Sequence, residues 1–168
     1  MNTTKTGQGM MAVGMIIGLV VLSSFFGAFE ENKRNPNRDP ISNVSGGSVE
    51  VQLRRNRQGH YVVTGEINNR SVNLLLDTGA TDVVVPAPMA EQLGLRRGRQ
   101  GRAMTANGPV VVYDTIINQL SIGDIVLYNV PASINTGMQG GILLGMSALS
   151  QVEFVQSGDY LTLRQTAY

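Results

Sequence analysis

The sequence predicts an all-β globular domain carried behind an apolar N-terminal helix. Three observations predict it. From about Ser48 onward, short runs rich in Val, Ile, Leu and Thr recur, several alternating apolar with polar residues, the period of a half-buried strand. Turn signals separate them, at Arg55–Gly59, Asn68–Arg70, Asn107-Gly108 and Ser157-Gly158-Asp159. Only Pro88–Leu95 and the end of Gly140–Leu149 read as helix, so one or two short helices accompany many short strands. Such a balance suggests a barrel or a sandwich.

The chain has 168 residues and carries no charge from Thr6 to Phe29. The apolar centre, Met10–Phe29, is 20 residues long, and a helix of that length spans roughly 30 Å of hydrocarbon. A buried core helix is one alternative, but no charged residue interrupts the run and Glu30-Glu31 ends it sharply. A cleaved signal peptide is another. Its leading segment would hold only Lys5, and Phe26-Gly27-Ala28 puts a bulky Phe where a small residue is preferred. The expectation is a tail over 1–9 and an uncleaved anchor over 10–29. The basic residues Lys33, Arg34 and Arg38 outnumber Lys5 across the span, which would put the domain in the cytoplasm. An anchor near the start of a chain is also the usual layout for a domain facing away from it.

Residues 30–47, rich in Asn, Pro, Gly and charge, read as a flexible linker. The domain then occupies 48–168. Its expected strands are Ser48–Arg54, His60–Ile67, Ser71–Leu76 and Asp82–Pro86. The Pro88–Leu95 helix follows, with Pro near its start and Gly94 near its end. Thr105–Leu120 carries Asn107-Gly108, a strong hairpin signal. Ile125–Ile134 is a further strand, in which Pro131 suggests a sheet edge or a bulge. Gly140–Leu149 reads as a strand entering a short helix, and Val152–Arg164 as a closing hairpin.

Composition narrows the chemistry. There is no cysteine and one histidine, His60. That removes thiolate chemistry and leaves little for a Ser-His pair or a His-rich metal site; neither metal nor cofactor is expected. His60 reads as a structural or solvated strand residue. The net charge of +1 and 5% aromatic content do not fit a nucleic-acid partner. Arg96–Arg102 places four arginines in seven residues. It reads first as a solvated loop, with anionic lipid or an acidic substrate segment as alternatives.

The residues that carry chemistry lie in Asn73–Pro86, "NLLLDTGATDVVVP". Asp77 follows three leucines, so its carboxylate ends up partly buried, a cost that needs compensation. Thr78, Gly79 and Ala80 follow; the small residues allow a tight loop and close approach by a peptide backbone. Downstream, Ile142–Leu149, "ILLGMSAL", is a second apolar run that ends at a glycine and opens into a helix. Asp-Thr-Gly alone arises by chance; the whole pattern is more specific.

On these motifs the sequence resembles the retroviral-type, retropepsin-like aspartic proteases, and among them bacterial membrane-anchored relatives. The resemblance covers about Gly59–Arg164. It implies a closed β-barrel of the acid-protease type and an aspartic endopeptidase. Asp77 matches the catalytic aspartate within Asp77-Thr78-Gly79, and Thr78 the residue that interlocks two active-site loops. Gly79, Ala80 and Asp82 match cleft positions, although Asp82 also reads as a strand cap or an arginine partner. The Met104–Pro109 hairpin resembles the flap, which gives Ala106, Asn107 and Gly108 as substrate contacts. Ile142–Gly145 resembles the segment that supports the catalytic loop. With bacterial relatives and an anchor after a short N-terminal tail, the expected location is the periplasmic side of a bacterial inner membrane.

The chain holds a single Asp-Thr-Gly. The aspartic-protease mechanism uses two carboxylates that share one proton, because like charges so close cannot both ionise. The second must come from another copy, so a homodimer is expected, acting on a peptide or protein. The alternative is a catalytically silent module that keeps the fold and binds peptides or assembles a membrane complex.

Overall fold

A computed structural model of the chain describes residues 13–24, 33–105 and 108–166. The chain divides into two compact units at Arg34/Asn35. In the first, residues 13–24 are helical and exposed. Among the described residues no helix is long and apolar enough to cross a membrane. Residues 10–12 and 25–29 of the expected anchor lie outside the described residues.

The second unit is mostly β. Its strands are β1 (Ser42–Ser45), β2 (Ser48–Arg54), β3 (Val62–Ile67), β4 (Arg70–Leu76), β5 (Val83–Pro86), β6 (Gln100–Thr105), β7 (Gly108–Ile122), β8 (Ile125–Asn135), β9 (Ile142–Leu144), β10 (Glu153–Ser157) and β11 (Tyr160–Thr166). Two short helices, α1 (Ala87–Gln92) and α2 (Met146–Leu149), follow β5 and β9. The expected elements therefore form, with ends shifted by a few residues.

The strands fall into two sheets. One has seven strands in the order β3-β4-β9-β5-β8-β7-β6, and β3 also pairs with β7 through Glu66–Ser121 and Ile67–Leu120. The other has four, in the order β1-β2-β11-β10. Val51 lies opposite Leu163, and Leu53 opposite Leu161. All four side chains are buried and join the core of the larger sheet, with Leu74, Ile117, Ile134 and Ile142. Alternation in β2 and β11 is thus the signature of one sheet face packed and one solvated.

The expected linker does not run free to Ser48. Asn35 and Asn37 are buried, and β1 pairs with β2 along its length. The Asn37 amide donates to the carbonyls of Arg54 and Val62, and its side-chain oxygen accepts from the Arg54 N–H at 2.6 Å. Asn35 donates to Thr64 Oγ1 and Asn73 Oδ1. Polar composition pointed to a solvated segment; here the Asn37 amide satisfies backbone groups where β2 ends and β3 begins, and so ties the two sheets together.

Pro131 is not on a sheet edge. β8 lies between β5 and β7. Pro131 pairs with Ile116 of β7, while the β5 ladder begins at Ala132. The register with β7 is constant on both sides of Asn129, so there is no bulge; the ladder skips Asn129, which has φ +51°.

Candidate functional site

The site begins where β4 and β9 run parallel, with Leu74, Leu75 and Leu76 opposite Ile142, Leu143 and Leu144. Both runs are apolar because both strands lie inside the sheet. Asp77 is the first residue beyond β4, half-buried, and its N–H donates to the Leu144 carbonyl at 3.1 Å. The chain then turns tightly. Asp77 Oδ1 accepts from the Gly79 N–H at 2.9 Å, and the Asp77 carbonyl from the Ala80 N–H at 3.2 Å. One carboxylate oxygen thus shapes its own loop.

α2 holds this loop from behind. Helix N-termini leave N–H groups without intrahelical partners; here Met146 N–H donates to the Ala80 carbonyl and Ser147 N–H to that of Thr81, both at 2.8 Å. Gly145 allows the approach. A Cβ there would lie 2.7 Å from the Ala80 carbonyl oxygen and overlap that of Asp82. Ser147 Oγ accepts from the Val83 N–H at 3.0 Å and donates to the Pro131 carbonyl at 2.7 Å. One hydroxyl therefore joins α2, β5 and β8.

A cleft of about 570 Å³ opens over the loop. Asp77, Gly79, Ala80, Thr81 and Asp82 form one side, and Val84, Ser133, Asn135 and Leu143 lie on the sheet beneath. Ala103, Met104 and Thr105 of β6 and Val110 and Val112 of β7 close it from the hairpin, and Met138 borders it. Met104 is 82% exposed, an apolar side chain standing out from the hairpin. Among the described residues, the lining includes two carboxylates, Asp77 and Asp82, and no Lys, Arg or His.

The structure thus brings Asp77, Gly79, Ala80 and Asp82 to one cleft. Thr78 is exposed at the loop tip, outside the lining. Gly108 begins β7 with φ +102°, a conformation that favours glycine. Its carbonyl accepts from Thr105 Oγ1 at 2.8 Å. It is not in the cleft lining. Ala106 and Asn107 lie outside the described residues. Sequence reasoning missed Ser133, Asn135 and Ser147. Ser147 stands inside "ILLGMSAL", where a hydroxyl in an apolar run was the available signal; Ser133 lay in the expected strand Ile125–Ile134 and Asn135 just beyond it, with nothing local to mark either.

The arginine run is a loop over Arg96–Arg99 and then enters β6, which holds Arg102 where a solvated loop was expected. Arg97 lies over the Tyr113 ring at 5.2 Å and Arg99 pairs with Asp114 at 3.3 Å. All four arginines are exposed. Among the described residues, no group of His, Cys, Asp and Glu is arranged to hold a metal ion.

A profile of the gag-polyprotein putative aspartyl protease family matches residues 63–151, from β3 to just past α2. The crystal structure of a retropepsin-like aspartic protease from Rickettsia conorii matches with a TM-score of 0.63 at 28% identity, over 76% of this chain and 98% of that one. The chain belongs to the retropepsin-like aspartic protease family. An uncharacterized Sinorhizobium protein is 31% identical over 175 residues, covering 95% of this chain and 75% of that protein. An uncharacterized Rickettsia prowazekii protein is 30% identical over 105 residues, 61% of this chain; the match spans only 45% of that protein's length. The family match contains the retropepsin-like cleft with Asp77 and α2, whereas all four strands of the smaller sheet fall outside it.

Proposed function

We propose that the chain is an aspartic endopeptidase whose working unit is a homodimer, with Asp77 of each copy at the two-fold axis. The observation that carries this reading is the position of Asp77, half-buried beside an open cleft in a loop fixed by Leu144, Ala80 and α2. In the reaction, one Asp77 carboxylate takes a proton from a water held between the pair. The water oxygen bonds to the scissile carbonyl carbon, and the protonated Asp77 of the other copy gives its proton to the carbonyl oxygen. Collapse of the tetrahedral species breaks the C–N bond as a proton passes to the leaving nitrogen. The products are an acid and an amine, and the pair again holds one proton.

Two features of the isolated chain support a second copy. The exposed Thr78 hydroxyl has no hydrogen-bond partner among the described residues, consistent with a partner loop meeting it. β10 is a terminal strand of its sheet, with all five residues exposed, Phe154 and Val155 among them. An open edge of this kind is a template for another chain. A peptide would lie between the Asp77 loop and the β6–β7 hairpin, and the family resemblance assigns its contacts there to Ala106, Asn107 and Gly108.

We further propose that residues 10–29 tether the protein to a bacterial inner membrane, with the catalytic unit on the periplasmic side. Confinement to a membrane would raise the effective concentration of weakly pairing copies. Protease protection in spheroplasts tests the side: digestion of the catalytic unit from outside supports it, and full protection opposes it. The activity is tested by peptide cleavage with the wild-type chain and Asp77→Ala, in the presence and absence of a statine-type inhibitor. A dimeric wild type that cleaves nothing would favour the catalytically silent module instead.

A further inference from the structure

The floor of the cleft is apolar where β9, β5 and β8 lie side by side, except at two positions. Leu143 faces Val84 across β9 and β5, and Val84 faces Ser133 across β5 and β8. Asn135 lies two residues further along β8, on the same face, opposite Val112. Ser133 is 9% exposed and Asn135 6%, and both line the cleft. Neither polar end is sealed off within the chain; both open into the cleft, so a ligand that displaces water there must pair them.

These two are only partly paired. The Asn135 side-chain carbonyl accepts from the Gly137 N–H at 2.9 Å. That bond fixes the orientation of the amide, so its NH₂ group is turned away with two donors to offer. The NH₂ group has no hydrogen-bond partner among the described residues, and neither has the Ser133 hydroxyl. A donor pair beside a hydroxyl that both donates and accepts has a definite complement: a group with a carbonyl acceptor and an N–H donor side by side.

We propose that Ser133 and Asn135 form a subsite that selects a substrate side chain ending in a carboxamide, glutamine or asparagine. The proposal rests on the peptidase reading and names part of its specificity. An aliphatic side chain would leave both polar groups buried and unpaired. A carboxylate would meet Asp77 and Asp82, the two acids of the same lining. An ammonium group offers no acceptor to the Asn135 NH₂. A site built to hydrogen-bond a substrate group discriminates strongly against the analogue that lacks it.

The test uses peptide pairs identical except for Gln or Met, which are similar in volume, at each position in turn. Binding is read by fluorescence anisotropy with the full-length chain carrying Asp77→Asn, so turnover is not needed. At one position the Gln peptide is expected to bind at least about ten-fold tighter than its Met partner. Ser133→Ala, a small change that keeps the strand, and Asn135→Leu should each cut that ratio to about three-fold or less without weakening the Met peptide. Equal binding at every position, no binding at all, or a Gln preference that survives both substitutions would overturn the subsite. Wild-type cleavage of the same peptides separates the two ideas. Discrimination without cleavage counts against the peptidase reading alone, and cleavage without discrimination against the subsite alone.

Discussion

The N–H of Asp77 donates to the carbonyl of Leu144 at 3.1 Å. That bond continues the parallel β4–β9 ladder by one step, and it ties the aspartate to the residue just before Gly145. The position of the carboxylate is therefore inherited from the sheet, and anything that displaces Gly145 displaces Asp77.

Gly145→Ala is the sharpest probe of that dependence. The added methyl would press on the Ala80 and Asp82 carbonyls, which are backbone atoms with little room to yield. A loss of about 2 kcal/mol or more in unfolding free energy is expected, typical of overpacking in a filled interior. Cleavage should fall further than stability explains, because the loop that moves is the one carrying Asp77. Urea unfolding and peptide cleavage on the same preparation check this; unchanged values in both would show that the close approach is not needed.

Ser147→Ala removes one hydroxyl and two hydrogen bonds, from Val83 and to Pro131. It leaves a backbone N–H and a carbonyl to find new partners, at about 1–3 kcal/mol for a group left buried. A fall in unfolding midpoint with little change in dimerisation is the expected result. Ser147→Thr keeps the hydroxyl and should recover part of the loss.

Asn37→Ala tests the strap between the sheets. Three hydrogen bonds disappear, and the Arg54 N–H and Val62 carbonyl lose a partner. The expected destabilisation is about 2–4 kcal/mol, read by urea unfolding. A loss under about 0.5 kcal/mol, the level of an ordinary surface substitution, would mean that this segment is a passive tail.

How much of this was legible in the sequence depends on which physical signal each element carries. The strand at Ser48–Arg54 announces itself by alternation, since Val51 and Leu53 face the core while their neighbours face water. The buried runs Leu74–Leu76 and Ile142–Leu144 are apolar throughout, and their flanking Asp-Thr-Gly and Gly145 marked the loop and its support. The Asn35–Asn37 strap was hidden because buried amides and solvated amides have the same composition. Ser133 and Asn135 were hidden for a related reason. A polar residue in or beside a strand reads as facing water, and only the fold reveals that this face lines a cleft.

The exposed edge of β10 gives a prediction about assembly. Val155→Lys puts a charge in the middle of a strand whose residues are all exposed, a common natural defence against edge pairing. If β10 joins two copies, the full-length chain in detergent should shift toward monomer in sedimentation, with cleavage lost in proportion and unfolding nearly unchanged. An unaltered dimer would direct attention to another surface. Thr78→Ala should weaken the same dimer without touching β10, because its hydroxyl has no partner among the described residues.

The central claim is that Asp77 performs peptide hydrolysis. It is tested most directly with the full-length chain, wild type and Asp77→Asn, each at a concentration where sedimentation shows a dimer. Both are incubated with a diverse peptide library at several values between about pH 4 and pH 8 and read by mass spectrometry. Cleavage by the wild type, abolished in Asp77→Asn while the dimer persists, is the predicted result. Equal cleavage by both proteins, or none by a dimeric wild type at any pH, would contradict it.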